Sequence, residues 1–339
     1  MTQGAATGNL TEQSQTAGIT AQSTRAADPP TGQPPARRKL SWLTRMGHNP
    51  WLYVMLIPGI VYFAVFKYAP MYGVTIAFQN YLPFLGFGGS EWVGLEHFER
   101  LFSGPDFARL MGNTLILAFL NIVIAFPAPI VVALMLNELR VHLAKRFVQT
   151  AIYVPHFLSW AIVAALSYLL FAVDAGPLTV LADRLTGQQF EFLTDPDWFR
   201  PIIILQTLWK STGWGTIIYL AALAGVDRNL YEAAMIDGAG RGRQLWHITL
   251  PAIRSTVIVM LILTTGNFLD TGFEQIYLMT NALNRDVAEV FDTYVYFVGI
   301  TQGAYSYSTA VGLFKGVIGL ILIFGANWLA KRFNQTSLF

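Results

Sequence analysis

Three polar residues, Asn267, Asp270 and Glu274, interrupt an apolar run at steps of three and four. On a continuous helix those steps bring all three onto one face. A carboxylate at membrane depth costs about 2.5–3.5 kcal/mol on insertion scales, so such a face turns toward a bundle interior or a cavity. The chemistry on offer is recognition: a few hydrogen-bonding groups in an otherwise apolar wall suit a small polar solute. An earlier run contributes Gln206, Trp209, Lys210, Thr212 and Trp214, and two further runs contribute Asn121, Tyr153, His156 and Trp160. Plainer roles stand beside these. Asn121 and Gln206 also suit hydrogen-bonded ties between helices, and Trp160, Trp209 and Trp214 suit an interfacial belt. Asp270 also suits an ion pair with Lys210 or another buried cation. For Asp270 the cavity role is preferred, because lipid exposure is so unfavourable. His156, next to Pro155, reads as a satisfied bundle histidine.

A second constellation is Tyr231-Glu232-Ala233-Ala234-Met235-Ile236-Asp237-Gly238, followed by Ile248-Thr249-Leu250-Pro251. It is a polar, glycine-broken insert between two long apolar runs. Its spacing predicts a short helix from Asn229 to Asp237, with Asn229 as N-cap and Glu232 closing a capping box. Gly238 is the C-cap candidate. A second short helix, about 243–249, is expected to end before Pro251, which opens the next apolar run. Ala233 and Ala234 are small enough for a partner surface to approach closely, and Tyr231, Met235 and Trp246 offer apolar anchors.

Bond-making chemistry finds no support. The chain has no cysteine, so thiolate metal sites and thiol nucleophiles are excluded. Five scattered histidines without H-E-x-x-H give no metal site. There is no G-x-S-x-G, and Gly238-Ala239-Gly240-Arg241-Gly242 lacks the third glycine at the spacing of a dinucleotide fingerprint and the strand that precedes one.

The elements that must position these groups are membrane helices. The 339 residues are 54% apolar and 12% charged, against about 25% charged in an ordinary soluble domain. A net charge of +2 gives no reason to expect nucleic acid. A spanning helix needs about 20 apolar residues. Six spans are expected at 51–76, 113–137, 147–172, 201–225, 252–278 and 309–330, the third interrupted at Pro155-His156 and the second carrying Pro127 and Pro129. Residues 1–45 read as a disordered tail, 46–333 as the six-span domain with the polar insert at 228–251, and 334–339 as a short C-terminal tail. The first run is too long for a signal-peptide core and is read as a retained anchor. Orientation follows the positive charges. Arg37, Arg38, Lys39, Arg45, Arg140, Lys145, Arg146, Arg228, Arg241, Arg243, Arg254, Lys331 and Arg332 share one side, thirteen against five for Arg100, Arg109, Arg184, Arg200 and Arg285. The thirteen-residue side is therefore cytoplasmic, with both termini and the 228–251 insert.

The spacing E-A-A, three residues, G, nine residues, I-x-L-P resembles the cytoplasmic loop of the membrane subunits of ABC importers. Trp51-Leu52-Tyr53-Val54-Met55-Leu56-Ile57-Pro58-Gly59, Tyr68-Ala69-Pro70-Met71-Tyr72-Gly73, Asn113-Thr114, Thr293-Tyr294-Val295-Tyr296 and Tyr305 to Lys315 are similar to the carbohydrate permeases of that group. The likeness covers about residues 50–333. It implies an all-α, six-span permease of the type I importer fold, in a bacterial or archaeal inner membrane, that performs no catalysis and binds no cofactor. ATP and Mg would be used by separate ATPase subunits, since G-x-x-x-x-G-K-[ST] is missing here. Implied partners are a second, different permease, two ATPase subunits, an extracytoplasmic solute-binding protein and a sugar or oligosaccharide. Tyr231, Glu232, Ala233, Ala234, Asp237, Gly238, Leu250 and Pro251 would form the ATPase-coupling surface. Asn267, Asp270, Glu274, Gln206, Trp209, Lys210 and Trp214 are the pathway candidates. Rival readings are a permease for a non-sugar solute, an ion-gradient transporter working through Asp270 or Glu274, and a membrane scaffold.

Overall fold

The computed structural model describes residues 50–332; the expected tails at 1–45 and 334–339 lie outside the described residues. The chain divides into two units, residues 1–63 and 64–339. In the first, α1 (Pro50–Phe63) contains Pro58, and its described side chains are exposed. The second unit holds everything else.

Its elements are helical apart from one short antiparallel pair, β1 (Gln79–Asn80) and β2 (Glu91–Trp92). Next come α2 (Glu96–Ser103), α3 (Asp106–Leu120), α4 (Pro127–Glu138), α5 (His142–Tyr153), α6 (Trp160–Leu170) and α7 (Pro177–Thr186). They are followed by α8 (Pro196–Ala224), α9 (Arg228–Ile236), α10 (Arg241–Gln244), α11 (Leu250–Gly266), α12 (Phe273–Met279), α13 (Phe291–Tyr296) and α14 (Tyr305–Arg332).

Among the described residues four helical stretches are long and apolar enough to cross a membrane: Tyr53–Phe78, Asp106–Glu138, Arg241–Gly266 and Tyr305–Leu329. A fifth results if α5 with its 3-10 extension and α6 count as one span, although they meet at a bend of 104°. Helix α8, 29 residues long, spans about 43 Å. Its polar stretch at Gln206, Thr207, Lys210, Ser211 and Thr212 lowers its hydropathy, and counting it is consistent with six.

Proline accounts for three of the irregular turns. Five-residue π turns at Ala64–Tyr68, Asn121–Ala125 and Leu245–Thr249 lie just before Pro70, Pro127 and Pro251. Proline lacks an N–H and its ring crowds the carbonyl four residues back, and a widened turn relieves both problems without ending the helix. The expected stop before Pro251 is thus replaced by one continuous helix, Arg241–Gly266. Span two starts earlier than expected, at Asp106, and span five stops earlier, at Gly266. Gly272, at φ +87°, turns the chain into α12. Asn267, Asp270 and Glu274 therefore do not share a helical face.

Glycine brings α8 against its neighbours. A Cβ on Gly213 would lie 1.9 Å from the Ile152 carbonyl oxygen, and one on Gly215 would lie 2.8 Å from the Pro129 ring. At the end remote from the 228–251 loop, Arg109 pairs with Asp106, Asp286 and Glu289 at 2.7–2.8 Å, and Arg285 also holds Glu289. Asn113 donates to the carbonyls of Asp286 and Glu289 and accepts from Arg200. These bonds tie α3, α8 and the segment before α13 together.

Candidate functional site: an exposed loop and a central cavity

The loop is built from helix-end chemistry. Asp227 caps α9, its carboxylate accepting from the Asn229 N–H at 2.9 Å. Asn229 is thus inside the first turn and the expected capping box is not formed. The side chain of Glu232 stays exposed. At the other end Gly238 adopts φ +74°, with Ala239 N–H donating to Ala234 O and Gly238 N–H to Met235 O. That bond pair satisfies the last carbonyls of α9 and reverses the chain. Gln244 then donates to Ala239 O, and the Tyr231 and Thr249 hydroxyls meet at 2.9 Å, tying α9 to the following helix. Leu250 and Pro251 are the first residues of α11, inside this long helix.

Beside the exposed charges, three large apolar side chains point outward: Met235 is 59% exposed, Ile236 87% and Trp246 69%. Ala233 is exposed and Ala234 half-buried. Besides hydrogen bonds within the loop, the ion pair Arg241–Glu138 links it to α4 at 4.0 Å.

The cavity, about 410 Å³, lies between α4, α6, α8, α11 and the break at 267–272. Asn121, Trp160, Asn267 and Asp270 line it, with Thr207, Tyr219, Thr264, Thr271 and Gln275. Asp270 is its charged group; the partner of Asp270 is Lys315 and not Lys210. Lys315, whose side chain is 15% exposed, also holds Asp292 on α13, while Asp270 is 62% exposed. The hydroxyl of Thr271, a residue 5% exposed, has no hydrogen-bond partner.

The remaining candidates sit behind or beside this wall. Gln206 is buried and joins a relay: it donates to Ser167 at 2.7 Å and accepts from Gln275, which also donates to Ile203 O. Lys210, 9% exposed, donates to the carbonyls of His156 and Leu158 at 2.9 and 2.5 Å, with its ammonium 5.3 Å from the Trp160 ring. Trp214 stacks on His156 at 4.5 Å and 7°. Trp209 is 46% exposed, and Glu274 is exposed at the start of α12. Lys315 and Thr271 were not singled out from sequence. A lysine within an apolar 28-residue helix was a usable signal for Lys315; an unpaired threonine hydroxyl leaves no trace in sequence.

A bundle of apolar helices around a cavity that holds a few polar groups, with an exposed loop between two spans, is the architecture expected of a membrane permease subunit. The chain belongs to the family of binding-protein-dependent transport system inner membrane components, whose pattern matches residues 125–335. It is a multi-pass, non-catalytic subunit of an ABC importer. It is 61% identical over 304 residues to protein LplB of Bacillus subtilis (strain 168), covering 90% of this chain and 96% of LplB. It is 56% identical over 297 residues to the polygalacturonan/rhamnogalacturonan transport system permease protein YteP of the same organism, covering 88% and 92%. A crystal structure of a bacterial ABC transporter involved in the import of the acidic polysaccharide alginate superposes with TM-score 0.80 at 37% identity, covering 86% of this chain and 98% of that one.

Proposed function

We propose that this permease forms half of the pathway of an ATP-driven oligosaccharide importer, and that uronate-containing oligosaccharides are its substrate class. Two relatives support the substrate class: YteP by its polygalacturonan/rhamnogalacturonan name and the alginate importer by its acidic polysaccharide. A second permease completes the pathway, two ATPase subunits hydrolyse ATP with Mg, and an external binding protein delivers the sugar. The charge asymmetry supports placing both termini and the 228–251 loop in the cytoplasm.

Access alternates as the loop moves with the ATPases. The observation that carries this mechanism is the single helix Arg241–Gly266. It runs about 39 Å from the exposed loop and ends at the cavity wall, where Thr264 and Asn267 line the cavity. Displacement at the loop therefore reaches the cavity through a rigid element. Glu232 supplies a free carboxylate to the ATPase cleft, and the left-handed Gly238 sets the angle between α9 and the lever.

The test is the reconstituted complex carrying Glu232→Ala or Gly238→Val. Valine is strained at φ +74°. Both variants should assemble, while substrate-stimulated ATPase and uptake separate. Wild-type uptake with wild-type ATPase stimulation in both variants removes the coupling assignment.

A further inference from the structure

Helices α11 and α14 leave between them a groove of about 750 Å³ that is separate from the central cavity. Ile258, Leu261 and Thr265 line one side, and Leu322, Gly325 and Leu329 the other. The Thr265 hydroxyl is engaged by the Leu261 carbonyl at 2.8 Å, so that wall presents hydrocarbon. At one end stands Arg254. It is exposed, and the ion pairs among the described residues engage Arg109, Arg241, Arg285 and Lys315, leaving Arg254 without a carboxylate. Lys331 and Arg332 close α14 at the same end.

Length identifies the occupant. Arg254 to Thr265 spans about 16 Å of helix, half of a hydrocarbon core of about 30 Å. The groove is therefore one leaflet deep, with its cation at headgroup level. A transmembrane helix from another subunit would call for an apolar contact running the full thickness.

We propose that the groove binds one anionic diacyl phospholipid, an acyl chain lying between α11 and α14 and the phosphate on Arg254. The leaflet is the cytoplasmic one if the charge-based orientation above holds; the site itself does not depend on the sugar. Ile122 lines both this groove and the central cavity, so a bound chain lies one side chain away from the cavity and directly on the lever helix.

The test uses the whole importer in nanodiscs of phosphatidylcholine with a minor fraction of phosphatidylglycerol, bound lipid being counted by native mass spectrometry after detergent extraction. The wild type should retain phosphatidylglycerol preferentially. Arg254→Gln should weaken that retention about fivefold, the worth of one cation at the membrane surface, and Arg254→Lys should restore most of it. Gly325→Leu fills the groove where a Cβ meets nothing within 4 Å, so it should displace the lipid while the complex stays assembled. Equal retention in wild type, Arg254→Gln and Gly325→Leu overturns the proposal. So does loss of the second permease from the Gly325→Leu complex, which would make the groove a subunit interface. Competition by inorganic phosphate alone would reduce it to an anion contact and also overturns it.

Discussion

Spans three and five are both broken, and the two breaks are finished in opposite ways. In span three the helix yields at Pro155, bends by 104° and leaves carbonyls without helical partners. Lys210, on α8, closes two of them, those of His156 and Leu158, and is itself almost fully buried. Ser159 restarts the helix as N-cap of α6, accepting from Ile162 N–H. In span five the chain yields after Gly266 and turns at Gly272. Here the side chains of the break face a cavity: Asp270 is held from the side by Lys315 and remains more than half exposed, and Thr271 keeps an unpaired hydroxyl. One break is a sealed joint. The other keeps hydrogen-bonding capacity open toward the cavity, which is where a passing solute would use it.

The largest effect that tests this contrast is on stability. Lys210→Met removes the donor to two carbonyls while leaving them buried. An unsatisfied buried group costs about 1–3 kcal/mol, so the loss should be on the order of 3 kcal/mol and should appear as low complex yield and early melting in detergent. Asp270→Asn should cost under about 1 kcal/mol, because the pair is solvent-accessible and Lys315 keeps Asp292. Equal melting shifts in the two variants would erase the distinction between joint and open wall.

The next effect is on transport, and it reverses the ranking. Asp270→Leu removes size-matched hydrogen bonding as well as charge, whereas Asp270→Asn keeps most of the former. If the second break serves the solute, leucine should lower uptake at least about tenfold, the scale of one hydrogen bond to a charged group. Asparagine should lower it far less, with yields of both near wild type. Uptake at the wild-type level in Asp270→Leu would remove Asp270 from the pathway.

The two breaks also differ in how visible they are in sequence. Pro155-His156 marks the first directly, because proline forfeits a helical bond wherever it falls. Its sealing residue was visible only as an oddity: Lys210 is a charge in an apolar run whose partners are backbone carbonyls more than 50 residues away. At the second break the steps Asn267, Asp270 and Glu274 imitate a helical face, so the run read as one helix to 278. Glycine tolerates both hands of φ and carries no positional signal alone. The loop is more legible, since Gly238 ends α9 by a local rule, yet its N-cap is Asp227, two residues before Asn229, because Asp and Asn compete equally for that position. Prolines misled in one respect. Pro251 looked like a stop, but a π turn absorbs it and the helix continues.

The smallest effect concerns Gly272 itself. Its φ of +87° is a conformation in which L-residues are strained by about 1–2 kcal/mol. Space is not the obstacle: an added Cβ would meet Gln275 at 3.6–3.9 Å, an ordinary contact. Gly272→Ala therefore isolates backbone strain, and the melting temperature should fall by several degrees, at about 2–4 °C per kcal/mol. Gly272→Asn should recover part of that loss, because asparagine tolerates positive φ better than alanine. Uptake should fall less than in Asp270→Leu, since alanine removes no hydrogen-bonding group from the cavity. If alanine and asparagine both melt with the wild type, the break does not rest on a left-handed Gly272, and the Asp270–Lys315 tie alone must hold the open wall in place.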